Sequence, residues 1–311
     1  MKPIIFIDGR EGTTGLRISE RLASRSDIEF IYLPEEQRKD PAARKEALNA
    51  SDISFLCLPD AAAVEAVSLV ENPNTRIIDA STAHRTAPGW TYGFPELSAE
   101  QFEKVASAKR VANPGCHASG FVALVTPLVK AGLLPASARL TCHSVTGYSG
   151  GGKKMIAQYE ASDRDALLGA PRQYGLTQNH KHLKEMQAVP GLDNAPVFCP
   201  IVADFYSGMV VTVPLFREDL APGVSMADVC ALYEKTYTGP IVRWKGGFDE
   251  GGFVSGAGLS GTDSMEIAVQ GNDERMLLIA RFDNLGKGAS GSAVECMNIL
   301  LGAAPETGLT L

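Results

Sequence analysis

The sequence of 311 residues lacks the features that define several protein classes. No apolar run approaches the roughly 18–20 residues of a membrane span, so we expect no membrane segment. The 29 Lys and Arg are outnumbered by 36 Asp and Glu, for a net charge of −7, which argues against a basic surface for nucleic acid. The six cysteines form no C-x-x-C pair, which argues against a zinc cage or a disulfide framework.

The N-terminus predicts a β-strand rather than a signal peptide. Its short apolar run ends on Asp8, whereas a secretory signal has a longer apolar stretch before its cleavage site. We therefore expect a cytoplasmic protein. The composition, 45% hydrophobic and 21% charged, is that of an ordinary globular chain, and the length predicts two domains.

The first third alternates apolar segments of strand length with segments rich in Ala, Leu, Glu and basic residues. This β-α-β alternation predicts a parallel sheet with helices on both faces. Asp40-Pro41 is typical of a helix start, with a capping carboxylate followed by proline in the first turn. The predicted strands cover 4–8, 28–33, 53–58 and 76–79, and the predicted helices cover 14–24, 40–49 and 61–70.

From about residue 138 the apolar segments are longer, richer in β-branched residues and partly alternating, at 139–145, 197–203, 209–215, 265–270 and 276–282. They predict a mixed, mostly antiparallel sheet. Helical spacing over 288–302 predicts a last helix that returns to the first domain. The predicted α/β architecture is a Rossmann-type dinucleotide-binding domain of residues 1–115 and 289–311, and an α+β catalytic and oligomerisation domain of residues 116–288.

A glycine-rich turn follows the first predicted strand. Such turns let the backbone approach a pyrophosphate, and the free N–H groups of the next helix can bind it. The spacing is G-x-x-G-x-x-G rather than G-x-G-x-x-G, so the strand–turn–helix context carries the interpretation. The alternative is a turn without a ligand. The predicted cofactor contacts in this turn are Gly9, Gly12, Thr13, Thr14 and Gly15.

The second predicted strand lacks an acidic residue at its tip, where NAD-binding folds hold the ribose hydroxyl. It ends on Leu33-Pro34, and the cations Arg38 and Lys39 follow shortly. A ribose 2′-phosphate attracts such cations, so the sequence favours NADP over NAD. The alternative is a solvated run of charges. Pro59 and Asn284 complete the predicted cofactor contacts.

Cys116 is the candidate nucleophile. It follows the turn signal Asn113-Pro114-Gly115 and precedes an apolar segment with helical spacing. At a helix start, the dipole and unpaired N–H groups stabilise a thiolate and can hold an oxyanion. The alternative is a cysteine that merely tolerates a helix start. Pro127 is expected to kink this helix or confine it to its first turns.

His180 and His182 form the third candidate group, with Glu185 three residues after the second histidine. In a helix, Glu185 would contact His182 and raise its basicity. A nucleophilic cysteine needs a distant histidine brought near by folding, so the two motifs support each other. Without Cys116 the segment would be interpreted as a polar helix face. A metal site is disfavoured because no second His or Cys pair lies nearby.

Two polar loops follow predicted strands and suit an anionic group such as phosphate. The loop at 79–85 contributes Ser81 and Arg85, and the loop at 146–154 contributes Ser149 and Lys153. Either could be an ordinary loop. Asn113 completes the predicted substrate contacts.

Together these motifs resemble the N-acetyl-gamma-glutamyl-phosphate reductase family, relatives of aspartate-semialdehyde dehydrogenase. His117-Ala118 and Leu183-Lys184-Glu185 stand where the commoner family pattern has Tyr-Pro and Thr-Pro-Glu, which indicates the shorter branch of the family. The resemblance is carried by the loop at 79–85 and by Tyr92-Gly93-Phe94-Pro95-Glu96, Asn113-Pro114-Gly115-Cys116, His180-Lys181-His182 with Glu185, and Asp283-Asn284-Leu285-Gly286-Lys287-Gly288.

The resemblance implies an NADP-dependent, phosphorylating oxidoreductase that reduces an acyl phosphate to an aldehyde in arginine biosynthesis. It implies Cys116 as nucleophile, His180 as the acid/base group, and His182 and Glu185 as orienting and substrate-binding residues. The implied substrate also has a carboxylate that requires an arginine, and the choice among Arg110, Arg172 and Arg243 is left open. The extended strands of the second domain predict a homodimer or homotetramer. Three alternatives stay open: a sister reductase for aspartyl or aminoadipyl phosphate, a cysteine hydrolase, and a dinucleotide-sensing regulator.

Overall fold

The computed structural model describes residues 2–311, whose contacts form two compact units. Unit 1 contains the chain up to Pro95 together with Ala99–Pro114 and Ala289–Leu309. Unit 2 contains Glu96–Ser98, Gly115–Gly288 and Thr310–Leu311.

Unit 1 is built on a six-stranded sheet, and each pair of neighbouring strands is parallel, which confirms the predicted parallel sheet. The strand order is β2-β1-β3-β4-β6-β5. The strands are β1 Ile4–Asp8, β2 Glu29–Ile31, β3 Ile53–Leu56, β4 Arg76–Asp79, β5 Thr91–Tyr92 and β6 Arg110–Ala112. The helices are α1 Thr13–Leu22, α2 Pro41–Ala50, α3 Asp60–Ser68, α4 Ala99–Ser107 and α9 Gly291–Leu300.

Two apolar layers cover the two faces of this sheet, because successive side chains of a strand point to opposite faces. Ile5 and Ile7 of β1 pack in the layer that contains residues of α1 and α9. Phe6, between them, packs in the layer formed with α2 and α3. The predicted helix start at Asp40 is confirmed: its carboxylate accepts a 2.9 Å hydrogen bond from the Ala42 amide.

Unit 2 is built on a seven-stranded sheet in the order β11-β12-β13-β10-β7-β9-β8. The pairs β11–β12 and β7–β9 are parallel and the other neighbours are antiparallel, so the predicted mixed, mostly antiparallel sheet is confirmed. The strands are β7 Thr141–Gly147, β8 Arg172–Gln173, β9 Val197–Ala203, β10 Met209–Phe216, β11 Val242–Gly246, β12 Met265–Gly271 and β13 Arg275–Phe282. The helices are α5 Cys116–Lys130, α6 Gly152–Glu160, α7 Leu183–Ala188 and α8 Met226–Thr236.

Helix α5 contradicts the expectation that Pro127 confines it to its first turns, because the helix continues to Lys130. Proline removes the N–H that would donate to the carbonyl four residues earlier, here that of Ala123. The structure supplies a replacement donor: the buried hydroxyl of Tyr237, at the end of α8, donates to this carbonyl at 2.5 Å. The neighbouring Tyr233 hydroxyl donates to the Leu124 carbonyl. Tertiary hydrogen bonds thus allow the proline inside the helix.

We expect Tyr237→Phe to lower the free energy of unfolding by about 1–3 kcal/mol, because it leaves the Ala123 carbonyl buried without its donor. Urea unfolding followed by circular dichroism measures this change. Tyr148→Phe is the matched control, since the Tyr148 hydroxyl makes only an exposed 3.4 Å contact with Glu160. Equal stability losses for the two variants would contradict the compensating role of Tyr237.

Three further features bear on the sequence predictions. None of the helices in residues 2–311 combines the length and apolar character that a membrane span requires. All six cysteines are free thiols. The glycines at 150–152, predicted as a loop, instead end a 3-10 turn, Tyr148–Gly151, and begin helix α6, because Gly152 adopts a positive φ of 71° that joins the two.

Candidate active site

The glycine turn of unit 1 folds so tightly that only glycine fits at two of its positions. Gly9 has a φ of +82°, and a Cβ there would lie 2.3 Å from the Cys57 carbonyl oxygen. A Cβ on Gly15 would lie 2.5 Å from the Gly9 carbonyl oxygen. Helix α1 begins directly after Gly12, with no side-chain hydrogen bond from that N-cap residue. The turn and helix start therefore form the cradle that a pyrophosphate requires, and the residues fit a dinucleotide.

A cavity of about 420 Å³ adjoins this turn in unit 1. Arg10, Tyr32, Arg38 and Lys39 line it, and the Arg10 guanidinium lies 4.6 Å from the centre of the Tyr32 ring. Arg38 forms a 3.2 Å ion pair with Glu11, another lining residue. The cavity therefore combines an aromatic face with four cations, since Arg44, which pairs with Asp8, also lines it. Arg10 was not predicted as a cofactor contact, although a cation inside the glycine turn was a visible signal.

The loop that follows β4 is organised around the fully buried carboxylate of Asp79. The Ser81 amide and hydroxyl donate to it at 2.9 and 2.7 Å, and His84 Nδ1 lies 2.6 Å from it. Arg85 Nε donates to the Asn113 carbonyl oxygen at 3.0 Å. The predicted substrate residues Ser81, Arg85 and Asn113 thus share one structured loop region in unit 1.

Cys116 is the first residue of helix α5, as predicted, and the chain passes from unit 1 to unit 2 between Pro114 and Gly115. The Gly115 amide donates to the Glu185 carboxylate at 3.1 Å, which anchors this helix start. Gly288 lies against the cysteine, since a Cβ there would be 3.1 Å from the Cys116 Cβ. That close approach explains why glycine is required at the end of the 283–288 motif.

Three of the other cysteines are less suited to ionise. Burial raises the pKa of the Cys57, Cys142 and Cys230 thiols, and for Cys57 the charges of Asp79 and Asp8 add to the effect. Cys116 is only partly buried and lies at a helix N-terminus, where the dipole favours the thiolate.

The two histidines of the third motif lie together in unit 2. The centres of the His180 and His182 rings are 4.6 Å apart, and His182 directly precedes α7. The His182 amide donates to His180 Nδ1 at 3.2 Å, which in the neutral ring leaves the proton on Nε2. Glu185, predicted to contact His182, accepts a hydrogen bond from the Gly115 amide.

Gln178 positions this histidine segment and was not predicted. Its backbone has a φ of 55°, unusual for a residue other than glycine. Its side-chain amide accepts from the Phe198 amide at 2.9 Å and donates to the Phe198 carbonyl at 2.8 Å. Gln178 therefore holds the loop before His180 against strand β9.

His117 and Tyr174 are further unpredicted members of this cluster. His117 is 3% exposed, its ring nitrogens contact Ser144 and Tyr174, and its ring packs against His180 and His182. Tyr174 lies near enough to Cys116 for the two to interact electrostatically. The tertiary fold thus groups Cys116 and the predicted histidines with two residues whose spacing in the sequence carries no signal.

The remaining residues that the sequence predicted as substrate or cofactor contacts lie in both units. The Asn284 side chain donates to Ser149 Oγ at 3.0 Å and accepts from the Gly208 amide at 2.8 Å. Lys153 is exposed on α6, and Pro59 precedes α3 in unit 1. The three arginines left open for the carboxylate each have partners: Arg110 the Thr75 carbonyl, Arg172 the Tyr159 hydroxyl, and Arg243 the Glu266 carboxylate.

Within the described part of the chain, no group of three or more His, Cys, Asp or Glu side chains has a geometry that could hold a metal ion.

Comparison with known proteins matches both units. A family model described as the semialdehyde dehydrogenase NAD binding domain matches residues 19–105, and one described as the semialdehyde dehydrogenase dimerisation domain matches residues 116–284. Among solved structures, aspartate semialdehyde dehydrogenase II from Vibrio cholerae aligns over 97% of this chain and 99% of its own, with a TM-score of 0.73 at 15% identity. The enzyme from Francisella tularensis aligns over 97% and 100%, with a TM-score of 0.71 at 14% identity. The fold is therefore that of the semialdehyde dehydrogenases.

The combination of this fold, a dinucleotide cradle and the two matched semialdehyde dehydrogenase domains defines an oxidoreductase of the semialdehyde dehydrogenase class. Curated proteins named N-acetyl-gamma-glutamyl-phosphate reductase match throughout: that of Rhizobium meliloti is 46% identical over 310 residues, and that of Brucella ovis 48% over 309. Both alignments cover 97% of this chain and 100% of the relative. This chain belongs to the N-acetyl-gamma-glutamyl-phosphate reductase family.

Proposed function

We propose that the protein catalyses the NADPH-dependent reduction of N-acetyl-gamma-glutamyl phosphate to N-acetylglutamate 5-semialdehyde and phosphate, in the cytoplasm, as a step of arginine biosynthesis. The observation that carries this proposal is Cys116 at the start of α5, grouped with His180 and Tyr174, in a chain that matches relatives of this name over their full length.

Cys116 is the nucleophile. Its thiolate attacks the acyl carbon, the carbon–oxygen bond to phosphate breaks, and inorganic phosphate leaves a thioester on the sulfur. Ser81 and Arg85 bind the phosphate group, because a hydroxyl and a planar guanidinium are its usual partners. When bound, NADPH supplies the hydride that reduces the thioester to the aldehyde level.

His180 supplies the proton in this scheme. With Nδ1 accepting the His182 amide, its neutral ring presents Nε2–H as a donor. That proton goes to the oxygen of the thiohemiacetal on Cys116, and it returns to the imidazole when the carbon–sulfur bond breaks and the aldehyde leaves. Glu185 keeps the helix start of Cys116 in place through the Gly115 amide, and His182 orients His180 and contacts the substrate.

The cofactor is NADP rather than NAD in this proposal. Gly9, Gly12, Thr13, Thr14 and Gly15 hold the pyrophosphate at the cradle described above. Three of the four cations that line the adjoining cavity provide the charge that a ribose 2′-phosphate needs: Arg10, Arg38 and Lys39. Pro59 and Asn284 complete the set of contacts.

Arg38→Ala tests the cofactor preference. A hydrogen bond between charged partners contributes about 1.5–3 kcal/mol, so we expect KM for NADPH to rise by about 10- to 100-fold while KM for NADH changes little. Lys45→Ala is the matched control, because Lys45 forms its ion pair with Glu71 and does not line the cavity. Equal increases of KM for the two cofactors would contradict recognition of the 2′-phosphate by Arg38.

The protein forms a homodimer or homotetramer in this proposal. One face of the unit 2 sheet is buried, whereas alternate residues of β10 (Val210, Thr212 and Pro214) and of β9 (Cys199 and Ile201) on its other face stay half-buried. Phe216 and Leu277, on the neighbouring strands β10 and β13, are exposed. A largely apolar face of this kind is typical of an interface between copies of a chain.

We expect Thr212→Arg to convert the oligomer to monomers, because it places an unpaired charge on this face. Analytical ultracentrifugation measures the change. Thr177→Arg, at an exposed loop position, is the control and should leave the oligomer intact. An unchanged sedimentation coefficient for Thr212→Arg would place the interface elsewhere.

A direct assay tests the function. The purified protein is given N-acetylglutamate 5-semialdehyde, NADP and phosphate, and the phosphate-dependent appearance of NADPH is followed by absorbance. Aspartate and aminoadipate semialdehydes are assayed in parallel. Preference for either would replace the substrate assignment by that of a sister reductase, and no NADPH with any of the three would remove the proposed activity.

A further inference from the structure

His117 has no role in the mechanism above, yet both of its ring nitrogens have a hydrogen-bond partner. Its Nδ1 lies 2.6 Å from Ser144 Oγ, and its Nε2 lies 2.6 Å from the Tyr174 hydroxyl oxygen. Ser144, on strand β7, is fully buried. The three side chains therefore form one continuous hydrogen-bonded chain that leads from the core of unit 2 to Tyr174.

The charge state of His117 determines how many protons the hydrogen bonds among Ser144, His117 and Tyr174 share. Burial, assisted by the nearby His180, lowers the pKa of His117 to about 3, so the ring is neutral at any pH at which the enzyme works. A neutral imidazole has one N–H donor and one acceptor nitrogen. Only two arrangements of these hydrogen bonds are possible, with the His117 ring proton on Nδ1 or on Nε2.

The burial of Ser144 selects between the two. Its hydroxyl proton needs an acceptor, because a buried donor without a partner costs about 1–3 kcal/mol. His117 Nδ1 is the acceptor at hydrogen-bond distance from Ser144 Oγ. If Nδ1 accepts from Ser144, the ring proton is on Nε2 and is donated to the Tyr174 oxygen. The Tyr174 proton is then directed away from His117.

Tyr174 lies near the candidate nucleophile, so its hydroxyl proton can be donated to a reacting group. It interacts electrostatically with Cys116, and the centre of its ring lies 6.0 Å from that of His180. Burial, together with the charge of Cys116, raises the pKa of Tyr174, so the hydroxyl keeps its proton beside a thiolate. Contacts of the His117 ring with His180, His182 and Phe198 hold this ring in a single orientation.

We propose that His117 is a positioning residue, which relays the Ser144 hydrogen bond and so makes the Tyr174 hydroxyl a donor to the carbonyl oxygen that reacts at Cys116. This inference rests on the proposed function. It adds a donor to the oxygen that becomes negative during attack and reduction, and such donors act mainly on the transition state.

A double-mutant cycle tests the relay. Tyr174→Phe removes the donor, and we expect kcat to fall by about 10- to 100-fold with little change in the KM of the acyl phosphate. The shorter side chain in His117→Asn keeps a donor or acceptor near Ser144 but cannot reach Tyr174. We expect a similar fall in kcat for this variant. The double variant should be no slower than Tyr174→Phe alone, since His117 acts through Tyr174.

A rescue variant separates this role from a packing role. His117→Gln can still donate its amide proton to the Tyr174 oxygen, so kcat should recover to within about fivefold of wild type, although the core contact is altered as much as in His117→Asn. If His117→Asn does not fold, Ser144→Ala replaces it. That variant frees the ring tautomer and should lower kcat only while Tyr174 is present.

The outcomes distinguish a failure of the proposed function from a failure of the relay through His117 and Tyr174. An inactive wild-type protein would remove the proposed function itself. An active wild type with multiplicative losses in the cycle, or without rescue by His117→Gln, would leave that function in place and overturn the relay.

Discussion

Replacing Cys116 with serine is expected to lower the rate of aldehyde formation by at least about 10³-fold while leaving NADPH binding nearly unchanged. A serine hydroxyl is not ionised at neutral pH, so it attacks the acyl phosphate far more slowly than a thiolate does. The glycine cradle and the cation-lined cavity belong to unit 1 and do not involve this sulfur. Turnover is measured by NADPH absorbance, and binding by titration of NADPH fluorescence.

Cys230→Ser provides the control for this experiment. Cys230 lies on α8, and burial raises the pKa of its thiol, so it stays protonated and its replacement should leave kcat within about twofold of wild type. Near wild-type turnover in Cys116→Ser would exclude Cys116 as the nucleophile and favour another mechanism for acyl transfer.

Replacing His180 with alanine is expected to slow the reaction by about 10²–10⁴-fold, the usual range for loss of a general acid or base. His180 is half-buried and presents Nε2–H, whereas His182 is 4% exposed and begins α7. His182→Ala should therefore have the smaller effect on kcat. Steady-state kinetics of the two variants, with thermal unfolding to confirm that both fold, make the comparison.

The reverse order of effects would exchange the two roles, with His182 as acid/base group and His180 as the orienting residue. Equal and small effects would instead indicate that Tyr174 or a water molecule supplies the proton. The two histidines are separated by one residue and their rings are 4.6 Å apart, so only the relative size of the two losses distinguishes them.

The alternation of elements in the first third of the sequence was sufficient to predict a parallel sheet. Strand β4 occurs at the predicted residues 76–79, and three of its four residues are buried, as expected for a strand of a sheet covered on both faces. Strand β2 is shorter than predicted: the sequence suggested 28–33, but pairing with β1 ends at Ile31. Tyr32 lines the cavity instead of extending the strand.

Some elements were missed although a local signal was present. Helix α8 is capped by Ser225, which exchanges hydrogen bonds with Asp228 in the S-x-x-D pattern of a capping box. Strand β11 and helix α4 were not predicted either. Pro127 shows the opposite case, since a strong local signal for a helix end is overruled by the Tyr237 hydroxyl, which is distant in the sequence.

The sequence by itself determined the local features from which the proposed chemistry was predicted. A glycine turn after a first strand and a cysteine after Asn-Pro-Gly are local signals, because backbone conformation and helix capping depend on neighbouring residues. Only the tertiary structure decided which distant side chains stand beside that cysteine. His117 is its sequence neighbour, yet its use of Ser144 and Tyr174 depends on strand β7 and on the loop held by Gln178. Hydrogen bonds between residues far apart in the chain follow from packing, which no local pattern encodes.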